Sequence, residues 1–407
     1  NPATGPYTGL YGTAYGATNF APGFGYTTYE QNVLDLPLFD NTDSKLLQVT
    51  LDGALGEHGI KAVIGYTDYD FTNSLDSDYS PLKLLNRGRT EQHDQFSAEL
   101  IISSPSDDKF EYLAGAYFQK EELANDRYTH IDLSAVAPIQ NAVYGLLNAS
   151  GLKYYLPGGS LSPLTAGSLT TAANNGWVNA TATSFFEQDA ESWSVFAEGT
   201  YNISDTLRMT AGLRYSEDQK EVTKSGGIGH LEPGSASDQL PNAVMANIYE
   251  LGLKLATVHS YTREREEDHV TGHVNFQWDM TNDAMVYLEL GNGYKAGGFD
   301  EDNSMGREVE TLNGVTDDLA DFEDESVETV EIGAKINLAD GRGRLNIAAF
   351  SSTYEDVQVS TFDGNAAFVV GNAAESEVQG IEADVLYRLT EELTLNGAFA
   401  YLDATYK

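Results

Sequence analysis

Asp and Glu residues are concentrated between residues 300 and 325, and this acidic stretch is the first place where the residue types suggest a bound ion. Calcium takes oxygen ligands from several groups at once, so a bound calcium ion can order such a loop. Asp317, Asp318 and Asp321 are the candidate ligands. Their spacing does not match an EF-hand, and a solvated acidic loop is the simpler interpretation. Apart from this calcium ion we predict no cofactor.

His269 and His273 are four residues apart, which on a helix is the spacing of two metal ligands. The residues around them alternate between apolar and polar and predict a strand, on which the two side chains would be roughly 13 Å apart. They therefore cannot share a metal ion. The sequence also lacks a nucleophile elbow, paired catalytic carboxylates on a common scaffold and a dinucleotide fingerprint. We predict no enzymatic activity.

Aromatic side chains and one lysine are the candidates for direct contact with a ligand. They are Tyr7, Tyr11, Tyr15, Tyr26, Trp177 and Lys295. The aromatic rings can stack on a sugar or on an aromatic ligand. The same rings can also pack within their own loops or lie at a membrane interface. The Gly-rich segment after Lys295 lacks the Lys-Ser/Thr ending of a phosphate-binding loop.

The hairpin from Ser192 to Tyr215 shows which elements position the polar side chains. Apolar residues occupy alternate positions from Trp193 to Ile203 and, after a short turn, again from Leu207 to Tyr215. A period of two predicts strands with one apolar and one polar face. Such a hairpin fits a soluble antiparallel sheet as well as a membrane barrel, so the number and arrangement of hairpins must decide between them.

The same alternation recurs from residue 44 onwards and predicts about twelve strands in about six hairpins. Short turns alternate with long connections at about 72–91, 122–190, 222–264, 300–325 and 360–374. All long connections therefore fall at one end of the sheet, as in transmembrane barrels with short periplasmic turns and long extracellular loops. We predict an all-β transmembrane antiparallel β-barrel, in which residues 1–43 form an extracellular loop region and residues 44–407 the barrel wall.

Charged residues on the polar faces of these strands are predicted to face the lumen. They are Glu198, Arg208, Arg214, Glu289, Glu331, Lys335, Glu382 and Arg388. In a barrel they would pair across the lumen and contact a plug, and only a minority would touch a ligand.

Acidic residues outnumber basic residues by 62 to 23, which gives a formal net charge of -39. This charge repels phosphates, so we exclude nucleic acid as a partner. It also argues against a bare anionic ligand, because a negative mouth would repel one. The absence of cysteine excludes disulfides, thiolate metal sites and cysteine nucleophiles.

Four segments resemble the TonB-dependent outer-membrane receptors. They are Gly293-Tyr294-Lys295-Ala296-Gly297-Gly298-Phe299, Glu328-Thr329-Val330-Glu331-Ile332-Gly333-Ala334-Lys335, Ala348-Ala349-Phe350-Ser351-Ser352-Thr353-Tyr354-Glu355-Asp356-Val357-Gln358 and Glu377-Val378-Gln379-Gly380-Ile381-Glu382-Ala383-Asp384. The resemblance implies an active importer in the outer membrane of a Gram-negative bacterium, surrounded by lipid and lipopolysaccharide. It also implies a plug domain, an energising TonB complex, and a ligand such as a ferric siderophore, a vitamin complex, an oligosaccharide or an aromatic compound.

The sequence departs from this family in two respects. Neither a plug domain nor a TonB-binding segment is visible, and the strands predicted here are about half of the roughly 22 that such barrels contain. We therefore expect the chain to be the middle of a longer one. The alternatives are a passive porin, a structural surface protein whose loops bind a partner, and a secreted all-β binding protein.

Overall fold

The computed structural model describes residues 38–77, 85–106, 109–132, 153–155, 161–163, 179–229, 259–301, 308–310, 316–318, 320–362, 368–373 and 375–407. Within these ranges every regular element is a strand, and no helix is long and apolar enough to cross a membrane.

In chain order the strands are β1 (Phe39–Leu55), β2 (His58–Asp76), β3 (Leu85–Ser103), β4 (Phe110–Asp132), β5 (Lys153–Tyr155), β6 (Leu161–Pro163), β7 (Asn179–Asn202), β8 (Leu207–Gly229), β9 (His259–Thr281), β10 (Ala284–Lys295), β11 (Gly298–Phe299), β12 (Glu308–Glu310), β13 (Thr316–Asp318), β14 (Asp321–Phe322), β15 (Glu325–Leu338), β16 (Gly343–Glu355), β17 (Gln358–Phe362), β18 (Phe368–Asn372), β19 (Ser376–Arg388) and β20 (Thr394–Tyr406).

The long strands form one antiparallel sheet of 12 strands in the order β1-β2-β3-β4-β7-β8-β9-β10-β15-β16-β19-β20. The order of the strands in this sheet is their order along the chain, as in an up-and-down barrel wall. Within the described ranges the short strands form four separate pairs, β5 with β6, β11 with β14, β12 with β13 and β17 with β18. The all-β prediction and the antiparallel arrangement of about twelve strands are confirmed.

Several predicted strand limits were wrong, because the strands continue into the predicted connections. The connection expected at 72–91 narrows to the interval between Asp76 and Leu85, and β4 runs to Asp132 instead of ending near residue 121. Likewise β8 continues to Gly229, and β9 begins at His259. In these extensions polar residues predominate on both faces, so the period-two pattern fades although the backbone pairing continues.

One face of the sheet is apolar and bounded by two rows of aromatic side chains. The upper row, nearer the long connections, contains Tyr66, Phe96, Phe118, Trp193 and Tyr215, and the lower row Phe110, Tyr112, Tyr201, Phe276 and Trp278. Between the rows this face carries exposed aliphatic residues such as Leu100 (56 %) and Leu213 (67 %). The rise along β7 between the rows is roughly 26 Å. This height matches the apolar band of a transmembrane barrel with its aromatic girdles.

At the end of the sheet near the long connections, β9 extends further than its neighbour β10. β10 pairs with β9 only as far as Gly291 opposite His273, whereas β9 continues back to His259 beside β8. Where β10 leaves, the Asn292 side chain accepts a hydrogen bond from the Gly272 N–H at 2.8 Å and donates one to the Val270 carbonyl at 3.2 Å. The Asn292 side chain thus replaces one step of backbone pairing with β9. After β10 ends, the chain from residue 296 onwards crosses the polar face of the sheet.

Candidate functional site

Basic side chains are concentrated on the polar face of the sheet, beyond the level of the upper aromatic row. They are Arg87, Arg89, Arg127, Lys220, Lys224, Arg263 and Arg265. The register places Arg89 directly opposite Arg127 and Lys220 directly opposite Arg265. Like charges directly opposite each other destabilise an antiparallel pair, so this surface needs anions close by.

Acidic side chains occupy the other face of the sheet at the same height. They are Asp68, Asp70, Asp94, Glu122, Glu187, Asp189, Glu191, Glu217, Glu221, Glu264, Glu266 and Asp268. The strong negative charge of the whole chain therefore does not describe the polar face. Strand geometry allows this difference, because neighbouring residues of a strand point to opposite faces. The division is one of excess charge: the polar face also carries Glu91, Glu121, Asp218 and Glu267, and the other face carries Lys45 and Lys120.

Residues 296–301, which we call the strap, cross the basic surface and are held there by two lysines. Lys220 donates to the Gly297 carbonyl, and Lys224 donates to the carbonyls of Asp300 at 2.8 Å and Glu301 at 2.9 Å. The Gly297 N–H donates to the Glu267 carboxylate at 3.1 Å. The strap is thus fixed to β8 and β9 mainly through its backbone.

The Glu301 carboxylate at the end of the strap binds β4. It accepts hydrogen bonds from the Asn125 amide at 2.9 Å and from the Arg127 guanidinium. Two side chains with donors on one strand therefore hold one carboxylate in the way that they would hold a carboxylate or phosphate of a ligand.

Phe299 anchors the strap through apolar contact. It packs with Phe186 of β7 and Val222 of β8, and these three residues form a buried cluster to which Leu123 and Tyr261 contribute at the periphery. Lys224 is fully buried beside this cluster, with its ammonium 5.8 Å from the centre of the Phe186 ring. Apolar burial and ionic contacts therefore act together on the same few strap residues.

Carboxylates from the segment around β14 contact two further basic side chains, Arg263 and Arg265. Asp321 lies 3.5 Å from Arg263 and 4.0 Å from Arg265, and Glu323 accepts a hydrogen bond from Arg265. Together with Glu301 these groups are internal counter-ions for the basic surface. An anionic ligand could replace them without leaving the arginines unpaired.

Burial gives the strap a pH dependence that can be measured. Lys224 lies well beyond the upper aromatic row, and desolvation lowers its pKa to about 8, an effect that the neighbouring Asp300 partly opposes. A lysine in water has a pKa near 10.5, so the undocked strap binds more protons than the docked one between about pH 8 and 10.5. Docking should strengthen as the pH rises through this window, by roughly tenfold or more between pH 7 and 10.

Hydrogen exchange of a peptide spanning the strap, corrected for the intrinsic rate, measures this effect as a rising protection factor. Desolvation also lowers the pKa of Lys220, so both lysines act in the same direction. In the Lys220→Met/Lys224→Met variant the protection factor should not change with pH. An equal pH dependence in that variant would contradict the role of the two lysines.

Gly297 offers a second test of the strap position. A Cβ atom at this residue would lie 2.6 Å from both the Glu267 carboxylate and the Phe322 carbonyl oxygen, closer than real contacts allow. Gly297→Ala should therefore raise the strap's exchange rate about tenfold or more. Gly371→Ala is the matched control, because a Cβ atom there meets nothing within 4 Å. Equal exchange in the two variants would contradict the close approach of the strap to β9.

The charged residues predicted to line the lumen all lie on the polar face by register. This set is Glu198, Arg208, Arg214, Glu289, Glu331, Lys335, Glu382 and Arg388. Two of them have separate local partners: Glu198 lies 3.2 Å from His273, and the Tyr287 hydroxyl donates to Glu331 at 2.6 Å. That this face lines a lumen stays a prediction.

The remaining sequence-predicted site residues have different outcomes. Tyr7, Tyr11, Tyr15, Tyr26 and Trp177 lie outside the described residues. Lys295 is exposed at the end of β10, opposite Glu325, and the strap begins at the next residue.

The calcium prediction also stays untested. Asp321 faces arginines, and nothing is described of the side chains of Asp317 and Asp318. Among the described side chains, no group of three or more His, Asp or Glu residues could hold a metal ion. His269 stacks on the Tyr294 ring at 3.7 Å, whereas His273 contacts Glu198, so the two histidines have different partners.

Sequence reasoning missed the basic surface because its residues fall outside the predicted strands, in or beside the predicted connections. Lys220 and Lys224, like Arg263 and Arg265, are separated by even numbers of residues. On a strand this spacing places each pair on one face. This spacing could have predicted a basic face. It did not predict a strand, because the alternate positions carry no apolar residues.

A family model described as the β-barrel of TonB-dependent receptor-like proteins matches residues 1–407. The chain belongs to the TonB-dependent receptor family. Receptors of this family are outer-membrane proteins of Gram-negative bacteria that serve transport, so the resemblance seen in the four sequence segments is confirmed.

Individual relatives agree with this assignment. The metal-pseudopaline receptor CntO of Pseudomonas aeruginosa is 37% identical over 93 residues, covering 23% of this chain and 13% of the relative. The probable TonB-dependent siderophore receptor PiuA of Acinetobacter baumannii is 22% identical over 346 residues, covering 83% of this chain and 40% of the relative. The chain thus spans less than half the length of these relatives.

The solved structures show the same fold. The crystal structure of the ferric yersiniabactin uptake receptor FyuA from Yersinia pestis superposes with a TM-score of 0.58 at 14% identity, covering 90% of this chain and 43% of that chain. At this identity the likeness concerns the fold alone. It identifies the sheet of this TonB-dependent receptor chain as barrel wall.

Proposed function

We propose that this chain forms part of the barrel wall of an importer that takes up a scarce, negatively charged solute, such as an anionic metal chelate, with energy supplied through TonB. The observation that carries the proposal is the concentration of Arg and Lys on the polar face beyond the upper aromatic row. The interior of an outer-membrane barrel is polar, so this face is the one that a passing solute meets.

The basic surface suits a polyanion better than a neutral solute. Guanidinium groups bind carboxylates and phosphates through paired hydrogen bonds, and the opposed pairs Arg89–Arg127 and Lys220–Arg265 concentrate positive charge. A neutral sugar or aromatic ligand would not neutralise these positive charges, which would then have only carboxylates of the protein as counter-ions. The names of the relatives, a metal-pseudopaline receptor and a siderophore receptor, support a metal chelate as cargo.

The other partners follow from the same proposal. The apolar band between the aromatic rows contacts the acyl chains of the outer membrane, and lipopolysaccharide surrounds the outer ends of the strands. A plug domain packs against the polar face between the two levels of aromatic residues, where Glu198, Glu289, Glu331 and Lys335 offer charged side chains with polar or aromatic neighbours. TonB acts on that plug.

Uptake of radioactive iron by cells that produce the full-length receptor tests this function. The probes are ferric citrate, which is anionic, and a neutral ferric trihydroxamate. We expect saturable uptake of the anionic chelate that stops when the proton-motive force is collapsed or TonB is deleted, and at least tenfold less uptake of the neutral one. Uptake that persists without energy would show a passive porin, and equal uptake of both chelates would contradict an anionic cargo.

A further inference from the structure

Within the described part of the chain, one edge of β9 has no partner strand over its outer half. β9 pairs with β8 from His259 to Trp278, but it pairs with β10 only from His273 to the turn. Among the described residues no strand lies beside the other edge of β9 from residue 260 to residue 268. An unpaired edge of this length is a template for another strand.

The contacts of Asn292 show which backbone groups face this edge. Its amide takes the place of β10 by binding the Gly272 N–H and the Val270 carbonyl. In an antiparallel ladder both groups of a residue point to the same neighbour, and this direction alternates along the strand. The N–H and C=O groups that point to the open edge are therefore those of Ser260, Thr262, Glu264, Glu266 and Asp268. They cover roughly 27 Å of strand.

The strap does not occupy this edge. The Gly297 N–H binds the Glu267 side chain and not the β9 backbone, and Arg263 and Arg265 reach Asp321 from the polar face. All these contacts involve odd-numbered β9 residues, whose side chains lie on the polar face. The even-numbered residues from 260 to 268 have exposed side chains.

The surface beside the open edge is acidic and defines the charge of a partner. Glu264, Glu266 and Asp268 lie on it, and the same face continues onto Glu217 and Glu221 of β8. Beyond the upper aromatic row, the described residues of β7, β8 and β9 on this face include no Lys or Arg. A second copy of the same edge would bring like charges together, so the edge disfavours pairing with itself.

We propose that the open edge of β9 binds an extended, basic polypeptide segment, which adds to the sheet as an antiparallel strand. Lys or Arg at every second residue of the segment lies opposite Glu264, Glu266 and Asp268. Cross-strand ion pairs supply specificity, and the backbone groups of β9 supply the hydrogen bonds. The site lies beyond the upper aromatic row, so the partner is outside the apolar band. The proposal does not depend on which solute the receptor imports.

The experiment measures binding of synthetic peptides to the full-length receptor in lipid nanodiscs at physiological salt. The probe is a ten-residue peptide of alternating Lys and Thr, and the first control is the same peptide with Glu in place of Lys. Residues that face each other in an antiparallel pair share one face, and the even-numbered β9 residues direct their backbone groups to the open edge. The N–H groups of the lysines therefore point to β9, and those of the threonines point away.

This geometry makes the result specific. N-methylation of the lysines should weaken binding at least tenfold, whereas N-methylation of the threonines should leave it within about twofold, and the Glu peptide should not bind. Equal binding of the two methylated peptides would reduce the effect to charge attraction and overturn the proposal. Absence of binding by the unmodified Lys peptide would overturn it as well.

A pair of receptor variants provides the matched test on the protein side. Glu264→Lys/Glu266→Lys reverses two charges at the edge and should weaken binding at least tenfold. Asp68→Lys/Asp70→Lys makes the same change on the same face of β2, far from β9, and should change binding at most threefold. Equal losses in both variants would show that net charge alone governs the affinity, which also contradicts strand addition.

Discussion

Replacing Phe299 with alanine should release the strap from the basic surface and raise the exchange rate of its backbone amides by about 100-fold. Phe299 is 7% exposed and packs on Phe186 and Val222, so the change removes the one large apolar side chain that the strap buries. A buried Phe→Ala change costs about 3 kcal/mol. Most of this cost lowers the free energy of docking of the strap, because the sheet does not depend on this residue. Hydrogen exchange of a peptide spanning residues 296–301 measures the effect.

Phe185→Ala is the matched control for this prediction. Phe185 precedes Phe186 on β7, points to the opposite face and is 47% exposed. Its loss should change strap exchange by no more than about twofold, since exposed positions contribute little. Similar effects of the two variants would mean that exchange reports the general stability of β7, and the anchoring role of Phe299 would be wrong.

The second large effect should come from the ion pair between Arg127 and Glu301. Arg127→Met leaves the Glu301 carboxylate with Asn125 as its remaining partner in a partly buried site. Removing one member of such a pair costs about 2 kcal/mol, because the other charge remains desolvated. Strap exchange should therefore rise roughly 30-fold.

The double variant Arg127→Met/Glu301→Leu separates this cause from a general loss of packing. Replacing both charges by apolar groups removes the stranded carboxylate, so the double variant should exchange at least fivefold more slowly than Arg127→Met alone. If the effects of the two changes simply added, the coupling between Arg127 and Glu301 would be absent and the strap would be held by other contacts.

The sequence predicted the sheet well where one face meets an apolar environment. In the hairpin from Ser192 to Tyr215 the apolar side chains between Trp193 and Tyr201 mark the face that carries the aromatic rows, and β7 and β8 pair there as expected. Period-two patterning is a reliable signal because it reports the face that is buried or in lipid.

The outer halves of the same strands could not be predicted in this way. From Asn179 to Glu191, β7 carries polar residues on both faces for much of its length, so no hydrophobic period is present. These residues remain in the sheet because they pair with β4 and, from Thr181 onwards, with β8. The backbone hydrogen bonds of this pairing leave no trace in side-chain polarity.

The candidate site lies in these outer halves, where the register leads to a different expectation about the ligand's charge than the composition does. A net charge of -39 argued against an anionic ligand, but that charge is an average over both faces. Only the register shows that Lys220 and Arg265 face each other on one side while Glu221 and Glu264 lie on the other. The roles proposed for the tyrosines near the start of the chain, for Trp177 and for calcium stay predictions.

The central claim is that the basic surface of the polar face captures an anionic solute, and equilibrium binding to the full-length receptor tests it most directly. Arg263→Gln/Arg265→Gln removes two charges from this surface, and Lys45→Gln/Lys120→Gln removes two from the opposite face. We predict that the first variant binds ferric citrate at least tenfold more weakly, with a reduced salt dependence, and that the second binds it as the natural receptor does. Equal affinity of the natural receptor and the arginine variant for ferric citrate would contradict the account.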